Sequence, residues 1–240
     1  YSERGGFSPA LFCCMVFLLE GCMTDINIFP TPIFVGQNID TTIDNILSES
    51  NFLSFLEKNK HWDCVVETSY FNKNRVLSEA SGRLKDAISR LLFPFVVNYI
   101  RPISIKKDLV FELNNFWVNR YVEGSFQEQH SHSDSIISFV YMHKTTPSHS
   151  VLRFHNKDVY TVDDFAQRSG VQFSSLYEDI DLSQGEFVLF PSFLPHSVVP
   201  QNADGERITL SGNIKIHLVQ QVSADGFMVE PTLTETEDNL

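Results

Sequence analysis

The sequence predicts a mainly β protein with flanking helices, in which a sandwich or jelly-roll core packs against N-terminal helices. Two observations favour this class. Helical periodicity is found between residues 40 and 100, and seven or eight short strand-like runs, separated by turn signals, follow Pro102. A hydrophobic content of 42% with 21 Phe is enough for a packed core and argues against disorder.

The first hundred residues are predicted to hold two extended and two helical regions. Residues 26–36 have the pattern of a strand that enters the core. Between residues 40 and 60, apolar residues recur at three- and four-residue spacings, which predicts one amphipathic helix or two short ones. Residues 62–70 alternate as a short strand, and residues 84–100 are again helical, with a kink expected at Pro94.

The rest of the chain is predicted to form the β core. Its strand-like runs are residues 109–113, 116–121, 136–142, 150–154, 186–190, 197–199 and 207–219. Gly, Pro, Asn and Asp residues between these runs are typical of tight turns in antiparallel sheets.

The two ends of the chain are expected to lie outside the domain. Residues 1–22 hold a ten-residue apolar stretch, and Met23 opens the first extended segment, so we interpret residues 1–22 as a non-native leader or, alternatively, an export signal. The predicted organisation is a leader at 1–22, one domain at 23–220 with helical support at about 40–100 and a jelly-roll core at about 103–220, and an acidic flexible tail at 221–240.

Charge and cysteine content narrow the class of protein. The chain carries 18 basic and 30 acidic side chains, and this balance disfavours a nucleic-acid partner because such a partner needs a basic surface. Only Cys64 follows residue 22, which excludes a disulfide framework and fits a reducing compartment. No apolar run reaches the roughly 18 residues of a membrane-spanning helix. We expect a cytoplasmic location, or export if residues 1–22 are a signal.

The densest polar cluster is the segment 129–134, just before a predicted strand. Residues two apart in an extended backbone face the same side, so His130, His132 and Asp134 are expected to point in one direction. Three potential metal ligands on one face favour a metal site. The alternative is a solvated loop that is rich in Ser and His.

A further His and an Arg follow in the next apolar runs. One run ends at His196, and Arg207 lies within another run 11 residues later, with Thr209 expected on the same face as Arg207. Burying an Arg is costly unless it meets an anion, although a salt bridge to an acidic residue would also satisfy it. We expect His196 and Arg207 on adjacent antiparallel strands, where a dicarboxylate could chelate a metal and pair with the guanidinium.

The donor types also bear on the identity of the metal. Two His and one carboxylate on one face are diagnostic of non-haem Fe(II), with open positions for a bidentate cosubstrate and O₂. Structural zinc would close the fourth position and usually employs Cys. The pattern therefore favours iron.

Several motifs together resemble a known family. The segment 121–130, followed by the spacing from His196 to Arg207, resembles the prolyl-4-hydroxylase-like branch of the 2-oxoglutarate/Fe(II) dioxygenases. The segment 116–121, the pair His130-x-His132, Ser138-x-x-Tyr141 and the segment 207–213 are similar to a subgroup of such oxygenases that is common in phages and marine bacteria. The resemblance covers about residues 23–220.

This resemblance implies a double-stranded β-helix core, with Fe(II) held by the His pair region and His196 and 2-oxoglutarate held by Arg207. It implies oxidative decarboxylation of 2-oxoglutarate to succinate and CO₂, coupled through O₂ to oxidation of a substrate C–H bond, most simply a hydroxylation. A hydroxyl for the far carboxylate could come from Thr209, Tyr121 or Tyr141. The amides of Asn119 and Asn213 are expected to orient the cosubstrate or to make structural hydrogen bonds.

Two questions are left open by the sequence. Counting from Tyr121 gives the ligands His130, His132 and His196, whereas a shift by two gives His132, Asp134 and His196. Other interpretations are a jelly-roll binding protein with a vestigial metal site and a cupin-like metalloenzyme without 2-oxoglutarate. The primary substrate, a protein side chain or a small metabolite, is expected to contact residues 144–147 and 157–183.

Overall fold

The computed structural model describes residues 31–38, 40–49, 52–72, 79–102, 109–156, 176–202 and 204–218. The elements before residue 103 are β1 (Phe34–Gln37), α1 (Thr42–Glu49), a 3₁₀ helix (Phe52–Phe55), β2 (Glu57–Lys58), β3 (Glu67–Thr68) and α2 (Glu79–Ile100). The later strands are β4 (Leu109–Tyr121), β5 (Gln127–His130), β6 (Ile137–Lys144), β7 (Leu152–His155), β8 (Tyr177–Ile180), β9 (Glu186–Pro191), β10 (His196–Val198) and β11 (Arg207–Leu218). The predicted leader and acidic tail lie outside the described residues.

The strands form two antiparallel sheets. The larger sheet has seven strands in the order β1-β9-β6-β11-β4-β3-β2, and the smaller has four in the order β5-β10-β7-β8. This arrangement confirms the predicted mainly β class with a jelly-roll core and flanking helices. Within the described residues, no helix is both long and apolar enough to cross a membrane.

The larger sheet is covered on both faces. Alternate residues of its central strand β6, Phe139 and Tyr141, join a hydrophobic cluster with α1 and α2, whereas Val140 and Met142 join a second cluster with strands of the smaller sheet. Because side chains alternate across a strand, a doubly covered strand is apolar on both faces. This explains why residues 137–142 are all buried.

The long strand β4 contains a bulge at Asn114. Its partner β11 pairs Asn213 with Asn115 and the next residue, Ile214, with Leu113, so Asn114 is the extra residue. A single extra residue exchanges the two faces of a strand. Leu113 before the bulge and Val118 after it therefore both reach the helical cluster. The sequence was interpreted as two strands, 109–113 and 116–121, because the bulge breaks the alternation; the structure corrects this to one.

The N-terminal predictions are confirmed in outline. The helical region at 40–60 is two short helices, α1 and the 3₁₀ helix, and α2 runs through Pro94 to end two residues before Pro102. The predicted strand at 62–70 was too long, since the structure has only an isolated bridge at Val65 and the two residues of β3 there.

Gly212 lies where β11 is crowded on both sides, and this generates a stability prediction. A Cβ at Gly212 would come within 2.6 Å of the Asn115 carbonyl oxygen and of the Phe139 ring. We expect Gly212→Ala to lower the free energy of unfolding by about 1–3 kcal/mol because the strand must shift. Urea denaturation would measure this.

Gly82 in α2 provides the matched control. A Cβ there would meet no atom within 4 Å, so Gly82→Ala should raise the free energy of unfolding by about 0.5–1 kcal/mol through helix propensity. Equal effects of the two substitutions would contradict this account of the β4–β11 ladder.

Candidate active site

Strand pairing brings the first two histidines together. In the register of β5 and β10, His130 lies directly opposite His196, and their ring centroids are 4.3 Å apart. His132 follows β5 by two residues, and its backbone N–H donates to the Ser192 carbonyl at 2.8 Å. This bond ties the His132 loop to the turn that leads into His196. The possible ligand atoms of the three histidines all lie within 4.8 Å of one another.

Backbone carbonyls determine which ring nitrogen of two of these histidines is free. The Nδ1 of His130 lies 2.8 Å from the Glu128 carbonyl oxygen, and the Nδ1 of His196 lies 2.9 Å from that of Leu194. A carbonyl only accepts, so each Nδ1 must carry the hydrogen, and each Nε2 then presents a lone pair. Such an outer hydrogen bond is the usual way in which proteins orient a metal-binding His.

Burial keeps two of the histidines unprotonated. It lowers the pKa of His132 to about 4, with a smaller contribution from the neighbouring His130. Burial likewise holds the pKa of His196 well below its usual value. A neutral imidazole is the form that binds a metal ion, so these rings are ready to act as ligands near pH 7.

Asp134 is not part of this histidine cluster. Its carboxylate is exposed and accepts a hydrogen bond of 3.0 Å from Nδ2 of Asn114, the bulge residue of β4. His132 and Asp134 were expected to point in one direction, but residues 131–136 do not form a strand. The two-residue alternation on which that expectation rests therefore does not apply there.

Arg207 lies on the opposite sheet from His196. β11 pairs with β4 and β6, whereas β10 pairs with β5 and β7. The expectation of adjacent strands is therefore wrong: the connection between them crosses from one sheet to the other instead of forming a hairpin. The two residues nevertheless line the same cavity between the sheets.

The Arg207 guanidinium is buried and incompletely paired. The residue is 1% exposed, and its Nε and Nη1 have no hydrogen-bond partner among the described residues. Its Cζ lies 4.8 Å from the ring centroid of Tyr121. Burial lowers the pKa of Arg207, and the Tyr121 hydroxyl opposes this. Arg stays protonated even so, which leaves a buried cation with free donors.

The cavity between the sheets has a volume of about 280 Å³. It is lined on one side by the three histidines and on the other by Arg207, Thr209, Tyr121 and Asn119. Arg207 pairs with Tyr121 across the two strands, and Thr209 pairs with Asn119. The prediction that Thr209 lies on the same face of its strand as Arg207 is therefore confirmed.

Besides Asp134, two other predicted site residues do not line this cavity. The Tyr141 hydroxyl donates to Asp44 of α1 at 2.7 Å, on the helical face of the sheet. Asn213 is buried between the sheets, where it accepts from Ser138 at 2.7 Å and donates to Asn115 at 2.9 Å. Those bonds are structural. Residues 144–147 do not line the cavity either, and most of the segment 157–183 lies outside the described residues.

Several lining residues were not predicted to belong to the site, among them three aromatic residues and one carboxylate: Trp62, Tyr70, Trp117 and Glu128. Trp117 alternates with Asn119 and Tyr121 on β4, so that strand's periodicity could have revealed it. Glu128 lies on β5, which was not predicted, and a bulge between Gln127 and His130 interrupts the alternation of that strand. Trp62 and Tyr70 come from a segment that is distant in sequence from the other lining residues, and no motif or spacing in that segment indicated a site.

Residues 115–213 match the model of a protein family described as "Putative 2OG-Fe(II) oxygenase". The matched segment spans both cross-strand pairs and all three histidines. The cavity residues named above therefore fall within a segment that is similar to 2-oxoglutarate/Fe(II) oxygenases. The family resemblance is thereby confirmed, whereas the likeness to a phage and marine subgroup stays a prediction. No curated protein matches the sequence.

Solved structures of such oxygenases share the fold. A prolyl-4-hydroxylase from Pseudomonas putida is 16% identical, with a TM-score of 0.51 over 77% of this chain and 92% of its own. HygX from Streptomyces hygroscopicus, with nickel, 2-oxoglutarate and hygromycin B bound, is 14% identical, with a TM-score of 0.52 over 77% and 83%. The epimerase SnoN of nogalamycin biosynthesis is 12% identical, with a TM-score of 0.54 over 77% and 78%.

The unpaired donors of the Arg207 guanidinium lead to a prediction about stability. Replacing Arg207 by Met removes a buried charge while keeping most of the volume, so the ligand-free protein should gain about 1–3 kcal/mol in free energy of unfolding. Denaturant titration would measure the gain.

Arg153→Met is the matched control for this prediction. The Arg153 guanidinium bonds both carboxylate oxygens of Asp179, at 2.7 and 2.8 Å. Its loss should leave the free energy of unfolding unchanged or slightly lower, since exposed pairs contribute about 0–1 kcal/mol. A clear loss of stability in Arg207→Met would mean that the guanidinium is a structural element of the ligand-free fold.

Proposed function

We propose that this protein is a dioxygenase that uses Fe(II), 2-oxoglutarate and O₂ to hydroxylate a C–H bond of a group that enters the cavity between the sheets. One observation carries the proposal: a buried guanidinium with two unpaired donors lines the same small cavity as three converging histidines. A cupin-like metal site without a dicarboxylate would provide no anion to pair with the buried Arg207 guanidinium.

His130, His132 and His196 would hold the iron. Their arrangement fits a divalent metal because the rings converge, two of them are kept neutral by burial, and two have Nδ1 occupied by a carbonyl. Of the two ligand sets that the sequence left open, this geometry favours the three-histidine set. When bound, the iron supplies the activation of O₂ that is coupled to the decarboxylation of 2-oxoglutarate.

Arg207 would bind the far carboxylate of 2-oxoglutarate. Its Nε and Nη1 are free to donate, and either of them together with the neighbouring Nη2 has the geometry of a bidentate pair with a carboxylate. The Tyr121 hydroxyl and the Thr209 hydroxyl line the same end of the cavity and can add hydrogen bonds. Asn119 is buried beside them, with its Oδ1 unpaired among the described residues, so its amide can orient the cosubstrate.

Apolar side chains would keep water from the reacting group. Leu152, Phe190 and Val198 line the cavity from the smaller sheet and β9. A volume of about 280 Å³ is at the small end of the roughly 300–1,000 Å³ of ligand pockets. Once 2-oxoglutarate is bound, space is left for a small group, and the rest of a larger substrate would lie outside.

Anaerobic titration of the full chain with Fe(II) and then 2-oxoglutarate tests this proposal. The visible metal-to-ligand charge-transfer band of the chelate should appear, and His196→Ala should abolish it. Both tryptophans of the chain, Trp62 and Trp117, line the cavity, so tryptophan fluorescence gives a second binding signal. Iron binding without the band would favour the cupin-like interpretation, and no iron binding would favour a binding scaffold.

The role of Arg207 predicts a separation between metal and cosubstrate binding. Arg207→Met should weaken 2-oxoglutarate binding about 100-fold, because a bidentate charged pair is lost, while the iron content stays near that of the unaltered protein. Arg153→Met should change neither quantity. Equal loss of iron and 2-oxoglutarate in Arg207→Met would contradict the assignment.

The ligand set predicts how two neighbouring substitutions differ. His130→Ala should lose most of the bound iron, since it removes one of three converging nitrogens. Asp134→Ala should retain it, because that carboxylate pairs with Asn114 instead. Iron content after anaerobic loading and desalting measures both. Loss of iron in Asp134→Ala together with retention in His130→Ala would restore the alternative set of His132, Asp134 and His196.

A further inference from the structure

We infer that the group oxidised by this enzyme is carried on a cationic, amine-bearing substrate, and that Glu128 with an aromatic wall formed by Trp62, Tyr70 and Trp117 binds the cation. The inference rests on the proposed function and adds the chemical class of the primary substrate. It is argued from lining residues that neither the metal nor 2-oxoglutarate would use.

Glu128 is placed beside the metal site by its strand. It precedes His130 by two residues on β5, and both residues line the cavity. Among the described residues that line the cavity, Glu128 is the only carboxylate. Arg207, the one basic residue in that lining, belongs to the opposite sheet and would be neutralised by 2-oxoglutarate.

The Glu128 carboxylate is held by hydrogen-bond donors. Gln127 Nε2 donates to its Oε2 at 2.9 Å. The Cys64 thiol also interacts with it, and burial, helped by this carboxylate, raises the pKa of that thiol to about 12, so the thiol keeps its proton to donate. No Lys or Arg within the described part of the chain forms an ion pair with Glu128. Its negative charge is therefore oriented but not neutralised.

Aromatic rings form a continuous wall from the metal site outwards. The ring centroids of His132 and Trp117 are 5.9 Å apart, those of Trp117 and Tyr70 are 5.1 Å apart, and those of Tyr70 and Trp62 are 5.0 Å apart. Aromatic rings attract cations through their π electrons and aliphatic carbon through dispersion. A wall of this kind beside a carboxylate therefore suits a cation that is carried on an aliphatic frame.

The loop that presents Trp62 is built around Asn59. The Asn59 side chain accepts from the backbone N–H of Trp62 at 3.1 Å and donates to the Trp62 carbonyl at 2.8 Å. It also donates to the Cys64 carbonyl and approaches the Cys64 thiol, each at 3.2 Å. One amide thus organises both the aromatic wall and the thiol that contacts Glu128.

Three probes of matched shape test the inference: cyclopentylmethylamine, cyclopentylmethanol and cyclopentanecarboxylate. Each is titrated into the full chain loaded anaerobically with Fe(II) and 2-oxoglutarate, and binding is followed by tryptophan fluorescence. The amine, which is protonated, should bind about tenfold more tightly than the alcohol, and the carboxylate probe should bind most weakly of the three. This order is expected because Glu128 and the aromatic rings attract a cation and repel an anion.

Two variants and one control assign the preference to the named residues. Glu128→Gln should abolish the preference for the ammonium over the alcohol. Tyr70→Leu should weaken the binding of both the amine and the alcohol. This variant retains both tryptophans, so fluorescence can still report binding. Glu178→Gln on β8 removes the same charge at an exposed position outside the cavity lining, and it should leave the preference unchanged. Thermal unfolding of each variant shows that it is folded.

The outcomes separate this inference from the proposed function. Formation of the charge-transfer band with no preference for the ammonium, or with no probe bound at millimolar concentration, overturns the inference and leaves the dioxygenase standing. A preference that survives Glu128→Gln overturns the assignment to Glu128. Absence of the band is a failure of the proposed function, and the fluorescence titration then still reports whether the cavity selects a cation.

Discussion

The pairing of β4 with β11, and the bulge within it, determines which side chains reach the cavity. Because Asn114 is an extra residue, the two faces of β4 exchange there, and Trp117, Asn119 and Tyr121 lie on the cavity side. Without the bulge these residues would face the helices, and Arg207 would lie opposite Arg120 instead of Tyr121. The bulge residue also binds Asp134 and so keeps that carboxylate out of the histidine cluster.

Polar groups that line the cavity lack partners in the ligand-free protein, and bound ligands would provide those partners. A buried guanidinium with two free donors is costly to the ligand-free protein, and burial keeps His132 and His196 in the neutral form that binds a metal ion. A dicarboxylate and a metal ion are the partners that satisfy these groups together. The same burial that lowers stability therefore makes the site selective, because water competes poorly for groups inside a narrow cavity.

Each sheet provides a different part of the cavity lining. The larger sheet provides Arg207 and its cross-strand partner Tyr121, the proposed binding site for 2-oxoglutarate, and the smaller sheet provides the proposed metal ligands His130 and His196 as another cross-strand pair. Cross-strand pairs have well-defined spacings, so both ends of the cavity are built on rigid ladders. The third part, the aromatic wall, comes mainly from the segment before α2, and this separation would let the substrate end vary without disturbing the other two.

The sequence by itself determined the class of fold, the two helical regions and most strands of the core, because these depend on local periodicity. It also singled out His196 and Arg207, which both line the cavity, because a His and an Arg are unusual in apolar runs. Only the tertiary structure decided their relation. The crossing between sheets, the pairing of His130 with His196 and the bulge that parts Asp134 from His132 all depend on register, which is set by contacts between distant segments. For the same reason Trp62, Tyr70 and Glu128 became part of the site only once the chain was folded.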